Sequence, residues 1–188
     1  MSSLLNHLAG AKRSTVAKKM VRIEAFQDCQ DRPNTEQYLK NHNHIASLKI
    51  ERIKMDQYIS ADYVVNRPVK SIHGNIQMLK CESKEPSTCE FIMNMKIPDI
   101  CSQLVEKGMF WTPLMDAIHP QIKCPLTKQV HHITNGSFSS VSSTPFLTAI
   151  PGGTDSFWAI KFTYSDIDNV EAGCMYIVFK LYHVKVKQ

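Results

Sequence analysis

Six cysteines, Cys29, Cys81, Cys89, Cys101, Cys124 and Cys174, constrain this chain of 188 residues more than any other feature. An even set spread through a small chain reads as a disulfide framework in an oxidising compartment, and as buried thiols or metal ligands in the cytosol. The compartment therefore has to be argued separately. At this length one domain with a single core is expected. Hydrophobic residues at 43% and charged residues at 21% are ordinary for a globular domain and exclude a disordered chain. No apolar run approaches the roughly 18 residues that cross a bilayer as a helix.

The formal charge of +5 has an uneven source. Lys12, Arg13, Lys18, Lys19 and Arg22 precede the first acid, Glu24, and the remainder holds 17 basic and 17 acidic residues. A nucleic-acid partner needs a basic face on the folded domain and is not expected. Residues 1–23 are accordingly read as a basic N-terminal tail, disordered or a leader, in front of a ligand-binding domain at 24–188. The segment lacks the apolar core of a signal peptide, and its Ser, Lys and Arg without acid are similar to a mitochondrial transit peptide. Mitochondrial delivery would leave the cysteine framework unexplained, so an alternative first exon or a gene-model artefact in place of the usual leader is the favoured reading. Asn135-Gly136-Ser137 is the one N-glycosylation sequon, in a polar, turn-rich stretch from Thr134 to Thr144.

Beyond the tail the recurrent pattern is short alternating strands. Ala46–Met55 alternates and shifts phase at Ile53, as a bulged strand would. Tyr58–Val65 and Val69–Lys80 follow, the second with Ile72, Gly74, Ile76 and Met78 on one face. Glu90–Ile97 sets Phe91, Met93, Met95 and Ile97 against Glu90, Asn94 and Lys96, with Ile92 out of pattern. Pro98-Asp99 opens the one convincing helix, stopped by Gly108. Phe157–Tyr164 and Gly173–Lys187 close the chain, the latter apolar on both faces as in a strand covered on both sides. Seven or eight strands with one short helix predict a mostly β domain, a β sandwich or cup.

The run Cys81 to Cys101, C-x7-C-x11-C, followed by Cys124-Pro125-Leu126-Thr127-Lys128 and by Gly173-Cys174-Met175-Tyr176-Ile177, resembles the ganglioside activator family of lipid-binding proteins. It is even more similar to small secreted arthropod relatives that include chemosensory-B proteins. The likeness runs from about Val21 to Val186. It implies three disulfides, Cys29 with Cys174, Cys81 with Cys89 and Cys101 with Cys124; the activator's fourth disulfide has no cysteines here. It also implies a β cup with a large apolar cavity, secretion or a lysosomal location, and a non-enzymatic role. The ligand expected is a lipid or other apolar small molecule, bound by a monomer without a cofactor. A membrane surface, a receptor or a hydrolase is the further partner class.

Phe91, Met93, Met95, Leu104, Phe146, Trp158, Phe162 and Phe179 are the candidates to line such a cavity, each also able to pack as plain core. Met109, Phe110 and Trp111, broken by Pro113, are candidates for a rim, since Met adapts to irregular apolar shapes and Trp favours interfaces. No Gly-x-Ser-x-Gly nucleophile motif is present. The pairs His42/His44 and His131/His132 lack the closely spaced cysteines of a structural zinc site and are read as loop and strand histidines. The alternative to a carrier is a secreted ligand for a receptor or hydrolase, with a vestigial pocket.

Overall fold

The computed structural model describes residues 15–54, 56–108, 111–137, 150 and 156–187. Two antiparallel sheets form the domain. β1 (Thr15–Asp28), β9 (Glu171–Lys187), β8 (Phe157–Ser165), β4 (His73–Cys81) and β5 (Cys89–Ile97) make a five-stranded sheet in that spatial order. β2 (His44–Ile53), β3 (Asp56–Val65), β7 (Gln129–Ser137) and β6 (Ile118–His119) make the second. Three short helices, α1 (Glu36–Asn41), α2 (Ile100–Leu104) and α3 (Thr112–Asp116), lie in the connections. No helix among the described residues is long and apolar enough to cross a membrane.

The pairing Cys29–Cys174, Cys81–Cys89 and Cys101–Cys124 is the one the family likeness implies, and no cysteine is free. Three disulfides fit a protein that folds in an oxidising compartment. Each ties distant elements or braces a turn: Cys29–Cys174 fixes the end of β1 to β9, and Cys81–Cys89 closes the β4–β5 turn. Cys101–Cys124 links α2 to the segment before β7.

β1 corrects the expected tail. Residues 15–23 pair in register with β9, from Thr15 opposite Lys187 to Ile23 opposite Phe179, and Ile23 is buried. The boundary expected after residue 23 therefore falls inside a strand. A bulge at Glu24 breaks the ladder, and the buried Gln57 amide fills the gap. Its Oε1 accepts from Ile23 N at 2.7 Å and its Nε2 donates to Ile23 O at 2.9 Å. A side-chain amide presents the same donor and acceptor as a strand backbone, so Gln57 satisfies two groups that burial would otherwise penalise.

A second bulge, at Ala46 of β2, is served the same way by Asp28, whose two carboxylate oxygens each lie 3.1 Å from Ile45 N. Burial raises the Asp28 carboxyl above its ordinary range, partly countered by that N–H and by His44. The Asp28 contact joins β1 to the β2 edge and the Gln57 contact joins β1 to β3, and together they close one side of the sandwich. The phase shift at Ile53 comes instead from the strand's end, where Ile53 is exposed beside Lys54 at φ 57°.

Other boundaries moved as well. Val69 forms only an isolated bridge to Leu126, and β4 begins at His73. The helix after Pro98 spans Ile100–Leu104, capped by the Asp99 carboxylate, which accepts from Ser102 N. The helix ends at Leu104 with Val105 as its cap, before the expected stop at Gly108, which sits at φ 80° in the connection that follows, in the left-handed region that glycine favours.

Candidate functional site

On the side opposite the β1–β2 closure, the five-stranded sheet ends in β5 and the four-stranded sheet ends in the two-residue β6. Register puts Met95, Ile76, Phe162 and Met175 in one cross-strand row, and Met93, Met78, Ile160 and Ile177 in the next. A third row holds Trp158, Phe179 and Ile23. This is the inner face, since Phe26, Ile23 and Ile177 pack with Ile59, Ala61 and Ile133 of the opposite sheet. Exposure falls along it from Met93 at 48% and Met95 at 41% on β5 to Trp158 and Phe179, both buried. Ile160, Phe162, Met175 and Ile177 are only half-buried although they face the other sheet.

The β5 strand deviates from simple alternation. Met93 pairs with Met78 but Phe91 pairs with Leu79, so the out-of-pattern Ile92 is a bulge. Met78 and Leu79 are neighbours on β4 and point to opposite faces, which puts Phe91 on the outer face rather than with Met93 and Met95. The result is four large apolar side chains, Phe91, Ile92, Met93 and Met95, exposed on both faces of an edge strand.

α2 buttresses the inner face beside this edge. Ile100 is buried and its N–H donates to Ile72 O at 3.0 Å. A Cβ at Gly74 would stand 2.4 Å from Ile100 Cδ1 and 3.0 Å from Phe162, so a bare backbone there is what lets the helix seat. Leu104 packs half-buried against the cluster around Tyr63 and Tyr164. Those two tyrosines, both buried, meet through their hydroxyls, and burial pushes both phenols up.

Trp111 is half-buried at the start of α3, its Nε1 donating to Gln103 O at 3.2 Å and its carbonyl accepting from Met115 N. It thus ties α3 to the end of α2, where Val105 is exposed. Met109, Phe110 and Phe146 lie outside the described residues.

Trp158 and Phe179 form one buried cluster with Met78, Ile150 and Leu181. Trp158→Ala is expected to cost about 3–5 kcal/mol of stability, as removal of a large buried aromatic does. Urea unfolding of the variant measures it. A loss below about 1 kcal/mol would mean that the indole leaves no costly void.

The remaining chemistry-bearing side chains are arranged differently. Ser47, Asp62 and His132 stand in one row on β2, β3 and β7. Ser47 Oγ donates to Asp62 Oδ2 at 2.7 Å, and His132 Nδ1 lies 2.6 Å from Asp62 Oδ1. These two hydrogen bonds hold the Asp62 carboxyl below its usual range. Because serine and histidine both bond the carboxylate, the histidine is not the serine's base, and the order needed for a nucleophilic triad is broken. The row lines an open concavity of about 470 Å³ together with Leu48, Lys49, Ser60 and Thr134.

His131, fully buried, has Nδ1 2.6 Å from Pro120 O and Nε2 3.2 Å from the Gln129 amide, so both ring nitrogens are used. His42 stacks on Tyr38 and its Nδ1 lies 2.9 Å from Tyr38 O, while His44 Nδ1 lies 3.2 Å from His42 O. Among the described residues no group of three His, Cys, Asp or Glu is arranged to hold a metal ion. Asn135 of the sequon is exposed, at φ 54° in a bulge of β7 opposite Ser60.

No protein-family model matches this chain, and no characterised protein matches it. The apolar edge therefore stands on its own geometry. Ile92, Ile76 and Ile160 were not among the cavity candidates read from the sequence. The consecutive run Phe91-Ile92-Met93 was the available signal, since a half-buried strand does not carry three large apolar residues in succession.

Proposed function

We propose that this chain is a non-enzymatic carrier of a lipid or another apolar small molecule, held against the inner face that opens at β5. The observation that supports this most is the pair of apolar rows running from exposed Met93 and Met95 into half-buried Phe162, Ile160 and Ile177. Apolar surface continuous from solvent to core offers a ligand burial at about 25 cal/mol per Å² before ordering costs. Exposed patches of this kind mark ligand or interaction sites in soluble domains.

The cysteine order shared with the ganglioside activator family, and the pairing it implies, support the same reading. Secretion, or lysosomal residence, fits the three disulfides, and an N-glycan at Asn135 fits its exposure. A chemosensory role belongs to the same proposal. Trp111 is read as a rim residue of the site, with Leu104 behind it.

Organic extraction of the purified protein followed by mass spectrometry tests the reading. A reproducible lipid is expected, and consistently empty protein that also fails to take up a fluorescent lipid would overturn it. Met93→Asp/Met95→Asp is expected to reduce fluorescent-lipid uptake by about tenfold or more, because two carboxylates would have to be desolvated along the entry row. Thermal stability should change little, both side chains being exposed. Unchanged uptake would remove β5 from the site.

The alternative, a protein ligand acting on a receptor or hydrolase, is favoured by one feature, the outer edge of β5, which no strand among the described residues covers. An exposed strand edge can accept a partner strand.

A further inference from the structure

The outer face of β2, β3 and β7 holds a second surface, which the apolar site does not use. Ser47, Asp62 and His132 form its central row, in the open concavity of about 470 Å³ that Ser60 and Thr134 also line. Asn135 of the sequon stands at its edge. Pairing of β3 with β7 steps from Ile59 opposite Gly136 to Ala61 opposite Ile133, so Thr134 and Asn135 together oppose Ser60. Both are exposed, between the buried Ile133 and Gly136, and Asn135 N donates to Ser60 Oγ at 3.4 Å. Simple alternation from His132 would send the residue at 135 inward. The bulge turns it outward instead, at a φ of 54° that asparagine tolerates better than most residues. Side chains two apart on one strand face stand about 7 Å apart, so the Asp62 row lies a single step from the Asn135 amide.

The chemistry of this surface suits a saccharide. Asp62 takes the Ser47 hydroxyl on one carboxylate oxygen and His132 on the other. A carboxylate has about four acceptor sites, so roughly half stay open to a sugar O–H or N–H. Ser60 and Thr134 add hydroxyls, and Leu48, Ala61 and Ile133 contribute to the same lining. A sugar ring presents hydroxyls at its rim and C–H groups on its faces, and meets both kinds of wall. An apolar cargo would leave the carboxylate and hydroxyls desolvated without partners.

We infer that this concavity seats the first N-acetylglucosamine units of the protein's own N-glycan, carried on Asn135. A short tether holds its ligand at an effective concentration in the millimolar range, so contacts too weak to retain a free sugar retain a tethered one. The inference rests on the glycosylation proposed above and uses none of the residues of the apolar site.

The full chain produced through a eukaryotic secretory pathway is compared with the same chain refolded oxidatively from bacteria, where Asn135 stays bare. Peptide mass spectrometry reads the occupancy of Asn135 first; a bare asparagine in the secreted chain overturns the glycosylation reading and this inference with it. In the glycosylated chain, cross-relaxation NMR is expected to connect the acetyl methyl groups of the inner sugars with the His132 ring and the Thr134 methyl. An occupied Asn135 without those cross-peaks overturns the seat alone. Melting gives a second reading. The glycosylated chain should melt about 2–4 °C above the bare one, the shift that one net hydrogen bond gives in a chain of this size. That increment should vanish in D62A/H132A, whose replaced side chains are 41% and 62% exposed. A folded variant that keeps the increment would overturn the seat, and should the variant not fold, the cross-peaks in the unaltered chain decide.

Discussion

Serine in place of both Cys29 and Cys174 is expected to lower the unfolding free energy by about 5 kcal/mol, the largest loss among the three disulfides. The bond joins residues 145 apart in sequence, against 23 for Cys101–Cys124 and 8 for Cys81–Cys89. Loop-closure entropy removed from the unfolded chain grows with the logarithm of that separation, which gives about 3.4 and about 2.5 kcal/mol for the other two. Position in the fold points the same way. Cys29 N donates to Cys174 O at 3.2 Å, and the segment that follows is held to β9 by a two-pronged contact between Arg32 and Glu171 at 2.8 and 2.7 Å. The Cys81–Cys89 bond closes a turn that the β4–β5 ladder already holds in register. Urea unfolding of the three double-serine variants should therefore rank them in this order. A ranking with the Cys81–Cys89 variant as the least stable would show that strain or cavity effects outweigh chain entropy.

Strands whose two faces meet different surroundings were legible in the sequence. Tyr58–Val65 alternates because every second residue, Ile59, Ala61, Tyr63 and Val65, is buried against the other sheet. β9 was legible for the opposite reason: it lies between β1 and β8, and Tyr176 and Val178 on one face are buried as fully as Phe179 and Leu181 on the other. β7 was less plain because its polarity is inverted, with His131 buried and Val130 exposed. A buried histidine whose nitrogens are both bonded costs little, but periodicity counts it as polar. α1 and α3 are one-turn helices set by caps and by Pro113, too short for any apolar stripe.

The candidate site was legible in its residues but not in its shape. Alternation along Phe91–Met95 reads the same whether the strand faces a core or an open edge, because it reports which side chains are apolar and not what covers them. Only the strand order, which ends the five-stranded sheet at β5, separates the two. Trp158 and Phe179 were grouped with Met93 and Met95 by chemistry, whereas their row lies deeper, next to Ile23 of β1.

β1 was the element least visible, and its removal is the second large effect expected. Lys18, Lys19 and Arg22 interrupt any apolar pattern, and the strand's partner lies some 150 residues further along the chain, beyond the reach of local periodicity. Deleting residues 1–23 should nonetheless prevent stable folding. It removes Ile23, which packs with Phe26, Ile59 and Leu114, and the half-buried Val21, which covers Phe179 and Leu181. Loss of a buried isoleucine alone costs about 2–5 kcal/mol. The deletion also strips β9 of its ladder from Phe179 onward and leaves the buried Gln57 amide without its two partners, a further penalty of about 1–3 kcal/mol for each unsatisfied group. Together these losses reach the range of about 5–15 kcal/mol that holds an ordinary domain together. Circular dichroism and thermal melting of the truncated chain measure the outcome. A cooperative transition within a few degrees of the full chain would mean that residues 15–23 contribute nothing to the fold and that residues 25–28 suffice for the β1 pairing.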